Sequence, residues 1–83
     1  MSIQANPGEA IVVMAHQDPA FEGSFHIRLA ACGRLLAIGR DPLQCAARRL
    51  VEEGAKDTTA LVVRFVDERS TLRATTIKEA LKA

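Results

Sequence analysis

His16, Asp18, Glu22 and His26 fall within a stretch of eleven residues, and imidazoles with carboxylates form a donor set that zinc and other divalent ions accept. Their spacing follows no established ligand pattern, however, and the segment holding Asp18 and Glu22 would have to fold back to meet His26. Solvated loop polar groups are the plainer reading, and no metal is expected. Cys45 is the next candidate. It falls four residues into an expected helix, near the positive end of the macrodipole and three residues before Arg48, a setting that favours a thiolate. A nucleophilic cysteine also needs a base, and nothing in the sequence aligns either histidine with Cys45. Cys32, in an expected turn, is a weaker case. Gly33 and Gly39 lack the companion residues of a phosphate loop. The carboxylate pairs Glu52–Glu53 and Asp67–Glu68 are chain neighbours, so their side chains diverge instead of facing one substrate. No catalytic residue and no cofactor is expected.

The arginines are more informative. Residues 1–33 hold one arginine against three acids, a net −2, whereas residues 34–83 hold ten bases against seven acids, a net +3. Strand alternation sends His26, Arg28 and Arg64 to the sheet face opposite Phe25 and Leu61, with Arg34 able to join them at a hairpin. Guanidinium groups on a sheet can grip phosphate or carboxylate bidentately. His26, Arg28 and Arg64 are therefore the candidate binding residues, against the plain reading of a solvated outer face.

Composition limits what such a face can serve. The chain has 83 residues, 48% of them hydrophobic and 25% charged, with 11 Lys and Arg against 10 Asp and Glu. This is an ordinary globular composition of one domain, without a second core. A formal charge of +1 excludes a molecule that coats nucleic acid by bulk charge. Three Phe with no Trp or Tyr leave little for base stacking. The longest apolar run, Ala10 to Ala15, is far shorter than the ~20 residues of a membrane span. Residues 1–9 show no export signal and read as a flexible tail ahead of a single domain over 10–83. Two cysteines without metal or disulfide spacing are expected to be reduced, and the protein cytoplasmic.

The elements that position these residues follow from periodicity. Ala10 to Ala15 is β-branched and apolar on both faces, which predicts a strand. His16 to Ser24 predicts a loop pinned to the core by Phe21. Phe25, Ile27, Leu29 and Ala31 alternate with His26, Arg28 and Ala30, a half-buried strand. Cys32-Gly33 makes the turn into an antiparallel strand over Arg34 to Ile38. Asp41-Pro42-x-Gln44 is a helix start with a capping box. Leu43, Ala46, Ala47, Leu50 and Val51 form one apolar stripe, and Gly54 supplies the left-handed terminus. Cys45, Arg48, Arg49, Glu52 and Glu53 take the opposite face. Ala60 to Val66 predicts a central strand, and Thr71 to Thr75 a short edge strand guarded by Arg73. Thr76-x-x-Glu79 caps a terminal helix that docks through Ile77, Ala80 and Leu81.

The order β-β-β-α-β-(β)-α predicts an α+β two-layer sandwich, its sheet mainly antiparallel with four or five strands. One main helix cannot cover such a sheet on both sides. Val12, Met14, Val62 and Val66 alternate away from the core, so either the terminal helix or a second chain should bury them. A homodimer is the expected assembly.

Gly39-Arg40-Asp41-Pro42-Leu43, the run Ala46-Ala47-Arg48-Arg49-Leu50-Val51-Glu52-Glu53-Gly54-Ala55 and Leu61-Val62-Val63-Arg64-Phe65 resemble short single-domain proteobacterial proteins of unknown function. The resemblance covers about half the chain and implies a bacterial single-domain protein without implying an activity. The functional expectation is a non-enzymatic binding or accessory module, taking a protein partner or a small anion on its sheet face. A nucleic-acid-binding regulator using the same arginines is the alternative, and a metal- or thiol-dependent enzyme the third.

Overall fold

The computed structural model describes residues 10–68, 70–74 and 76–82. The expected tail over residues 1–9 and the end of the edge strand at Thr75 lie outside the described residues. Seven elements follow in the expected order: β1 (Ala10–Gln17), β2 (Phe25–Leu29), β3 (Leu35–Gly39), α1 (Pro42–Glu52), β4 (Ala60–Phe65), β5 (Ser70–Ala74) and α2 (Ile77–Lys82). They build a five-stranded sheet ordered β3-β2-β1-β4-β5 with both helices on one side, an α+β two-layer domain.

Three of the four strand pairings are antiparallel, and β1 with β4 is parallel. The parallel pair places β1 at the centre of the sheet. After the β1-β2-β3 meander, α1 carries the chain back across the sheet and delivers β4 to the free side of β1, the long connection that parallel neighbours require.

β1 is two residues longer than its apolar run. His16 and Gln17 stay in the ladder opposite His26 and Phe25, and Asp67 Oδ2 in the β4–β5 turn accepts from the Gln17 amide at 2.8 Å. Phe21, expected to pin the following loop, is 69% exposed. Polar bonds hold that loop instead: the Asp18 amide donates to the Ser24 carbonyl at 2.9 Å, the Ser24 amide to the Phe21 carbonyl at 3.1 Å, and the Ala20 amide to Asp18 Oδ1 at 2.8 Å. With its ends closed by backbone, the loop requires no apolar anchor.

Between β2 and β3 the register slips by one residue, because Ile27 pairs with Ala37 but Arg28 with Leu35. The extra residue, Leu36, makes a bulge. Leu36 is buried and Ala37 packs against the core, so the bulge gives a short edge strand two consecutive core contacts.

α1 begins as its sequence dictates, with Asp41 Oδ1 accepting from the Gln44 amide at 3.1 Å and Pro42 in the first helical turn. It ends at Gly54, whose φ of +95° is the left-handed conformation that glycine adopts without a side-chain clash. Ala46, Ala47 and Leu50 are buried, and the two small alanines let the helix sit close to the sheet. Val51, expected on the stripe, is 40% exposed because its position falls at the edge of the buried arc. Cys45, expected on the solvent face, instead packs against the core and beneath Gly39.

The first turn of α2 satisfies its orphan donors from the α1–β4 connection and from Thr76. The Ile77 amide donates to the Thr59 carbonyl at 2.8 Å, the Lys78 amide to the Asp57 carbonyl at 2.9 Å, and the Glu79 amide to Thr76 Oγ1 at 3.0 Å. Gln44 Nε2 reaches the Leu81 carbonyl at 3.3 Å. These bonds hold α2 beside α1, where Ile77 and Ala80 enter the same core as Leu50. Among the described residues, no helix therefore covers the second face of the sheet.

Candidate functional site

The helix-free face carries the side chains that alternate away from the core. Its register aligns them in rows. Met14 of β1 stands opposite Arg28 of β2 on one side and Arg64 of β4 on the other. The same row continues to Leu35 on β3 and Thr71 on β5. One row toward the 18–24 loop, His16 stands opposite His26, and His26 opposite Ile38. One row the other way, Val12 stands opposite Val62, and Val62 opposite Arg73. Strands lie about 4.8 Å apart, so the Arg28 and Arg64 backbones are separated by about 10 Å with Met14 between them. His26, Arg28 and Arg64 thus share one face, in two adjacent rows.

The two arginines differ in freedom. Arg28 is half-buried and its Nη1 donates to the Gly33 carbonyl at 3.0 Å, which steadies the guanidinium over the hairpin while leaving its other donors available. Arg64 is exposed and has no hydrogen-bond or ion-pair partner among the described residues. The five strands contain no Asp or Glu, so nothing within the sheet neutralises them.

Arg34 does not join this row. It turns to the helical side and makes a two-pronged ion pair with Glu53, Nη2 to Oε1 and, at 3.3 Å, Nη1 to Oε2. Arg49 Nε also reaches Glu53 Oε2 at 3.1 Å and its Nη1 reaches Glu52 Oε2 at 3.2 Å. Glu53, just past the end of α1, is the better-placed partner because the hairpin brings residue 34 over that end. Sequence spacing gives no sign of this contact, which spans nineteen residues.

The Arg34 hydrogen bond, with the charges of Arg34 and Arg49, holds the Glu53 carboxyl below its ordinary value. A carboxyl lowered by folding contributes stability above its unfolded pKa, about 4.3 for Glu, and loses that contribution as pH falls through the folded value. Stability is expected to decline on acidification below about pH 4.3, and Glu53→Gln to decline less steeply. Urea midpoints between neutral and acid pH check this, and equal pH slopes in the two proteins would contradict it.

The imidazole and carboxylate group is only partly assembled. Asp18 Oδ2 accepts from His26 Nε2 at 3.1 Å, while the Ala20 amide, and then His26, lower the Asp18 carboxyl below its ordinary value. His16 stands beside His26 in the ladder, and Glu22 lines a shallow hollow of about 410 Å³ with Gln17, Asp18, Pro19, Gly23 and Phe25. Among the described residues no three His, Cys, Asp or Glu side chains converge as metal ligands. Asp18 already serves the loop and His26, which accounts for its placement without a ligand. Cys32 is exposed and Cys45 half-buried.

Met14, Val12 and Val62 give the face its apolar centre. Val62 is buried to 6% exposure yet stands outside the core cluster beneath the helices. Leu35 and Ile38 extend the apolar surface to the β3 edge at 40% and 54% exposure. Alternation marks Val12, Met14 and Val62 in the sequence, but only the register shows that the arginines bracket Met14. No helix among the described residues is long and apolar enough to cross a membrane. No family model, curated protein or solved structure matches this chain, so the role of the face must be read from its own residues.

Proposed function

We propose that this chain is a small non-enzymatic binding module of the bacterial cytoplasm, which takes an anionic ligand, a protein partner or a small anion, on its helix-free sheet face. One observation carries the reading: Arg28 and Arg64 bracket Met14 in a single row of a sheet whose strands contain no carboxylate. His26 stands in the neighbouring row and completes the candidate set. Guanidinium donors paired with carboxylate or phosphate make stronger hydrogen bonds than neutral groups do, and the flanking apolar side chains lower the competition from water.

Mapping amide shifts of the labelled protein on titration with polyglutamate and with inorganic phosphate tests this. Shifts should gather at residues 12–14, 26–28 and 62–64 and vanish in the Arg28→Gln/Arg64→Gln double variant. Shifts elsewhere, or none with either probe, would reject the face. Tight binding of duplex DNA whose log K falls with log salt at about 0.9 per neutralised phosphate would favour a nucleic-acid regulator instead.

The assembly in this reading is a homodimer joined along β3, and not, as the apolar second face alone suggests, across Val12, Met14, Val62 and Val66. Leu35-Leu36-Ala37-Ile38-Gly39 is an edge strand whose bulge at Leu36 is accompanied by no charge and no proline, two further devices that keep edges apart. A second β3 added antiparallel would continue the sheet across a twofold axis and leave the arginine row open on both subunits. Sedimentation should show two chains for the parent protein and one for Ile38→Lys; a monomeric parent would overturn the dimer without touching the binding face.

A further inference from the structure

We infer that the helix-free face receives an amphipathic helix of a partner protein, lying along β1 with its apolar stripe on Val12 and Met14 and an acidic residue on each flank. This rests on the proposed binding role of the face and names the kind of ligand.

Two dimensions agree. Arg28 and Arg64 stand two strand spacings apart, about 10 Å, and a helix with its side chains is about 10–12 Å across. A helix centred over Met14 therefore sets its two flanks above the two guanidinium groups. Val12 and Met14 are two residues apart on β1 and share its open side, while the buried Val62 backs Val12 in register. They form a short apolar ridge along the strand direction, matching a helical stripe that recurs at three and four residues.

Charge selects among occupants. A second copy laid face to face would bring arginine rows against a sheet without carboxylates, and like charges across an interface are repelled. A nucleic-acid strand would gain the two arginines but find no aromatic platform on the strands, since Phe25 and Phe65 pack edge to face with each other at 5.3 Å between centroids against the core, and the exposed Phe21 belongs to the loop between β1 and β2. An apolar ridge bracketed by cations fits an apolar stripe bracketed by carboxylates. A sheet with helices on one face only would gain a second helical layer on the other.

Two eighteen-residue peptides test the assignment, both with leucine along one helical stripe. One carries glutamate at the flanking positions, the other lysine. Fluorescence anisotropy with the full chain should show binding of the glutamate peptide only, and Arg64→Gln should weaken it about tenfold, the loss expected for one charge-assisted hydrogen bond. The Arg28→Glu/Arg64→Glu variant, confirmed as folded by circular dichroism, should reverse the preference and take the lysine peptide. Equal binding of both peptides, or no reversal, would overturn the inference. If the glutamate peptide fails while polyglutamate or phosphate still binds in an arginine-dependent way, the face remains an anion site and the helix assignment alone falls. If none of the probes binds, both fall.

Discussion

Leu50→Ala should lower the melting temperature by roughly 10–40 °C. Leu50 is fully buried in the last turn of α1, where the sheet, α1 and α2 meet in one core. Shortening a buried leucine to alanine removes transfer free energy and leaves a cavity, together about 2–5 kcal/mol. For a domain of this size each kcal/mol corresponds to about 4–8 °C. The neighbours on the stripe, Ala46 and Ala47, are themselves fully buried and too small to fill the space, so little relaxation is available. The better helix propensity of alanine offsets only a few tenths of a kcal/mol. Total stability at about 0.05–0.15 kcal/mol per residue leaves a loss of this size close to unfolding the protein at physiological temperature. Thermal and urea denaturation check the result, and a fall of only a few degrees would show that α1 does not seal the core as described.

Gly39→Ala should cost about 1–3 kcal/mol, the usual penalty for forcing an extra methyl group into a packed site. The added carbon would sit 2.5 Å from Cys45 Sγ, far inside van der Waals contact. Cys45 is anchored in the second turn of α1, so either its side chain must rotate or the end of β3 must move away from the helix. The collision identifies its own remedy. Cys45→Ala removes the sulfur and should restore most of the loss when combined with Gly39→Ala, while costing little alone. Denaturation midpoints of the four proteins form a double-mutant cycle. Additive losses would place the strain elsewhere, for instance in the turn from Gly39 to Asp41. This contact also gives Cys45 a packing role that requires no reactivity.

Local signals made most elements legible. Asp41, Pro42 and Gly54 mark both ends of α1, and Thr76 the start of α2, because caps are chemistry between near neighbours in the chain. The alternation of Phe25 to Leu29 placed His26 and Arg28 on one side, and that of Leu61 to Phe65 placed Arg64 on the same side. Distance along the chain hid the rest. The parallel pairing of β1 with β4 leaves no mark in either strand, so the bracketing of Met14 could not be read beforehand. Arg34 looked like a third member of the cationic face until the fold set Glu53 beside it. Phe21 looked like an anchor because large apolar residues usually are, whereas the polar closure of its loop depends on Asp18 and Ser24 meeting across seven residues.

The central place of β1 has a consequence in time. Its partner on one side is the adjacent hairpin strand, but on the other Ala10 pairs with Ala60, fifty positions later. A chain emerging in sequence completes the β1-β2-β3 meander while β1 still shows an open, strongly apolar edge. That edge closes only after α1 has formed and β4 has followed it. Loop closure over such a span is paid before the contact repays it, so docking of β4 is the step expected to set the folding rate. In that interval the backbone edge of β1 from Ala10 to Ala15, the strand that later carries the proposed ligand, is open to pairing with the wrong chain.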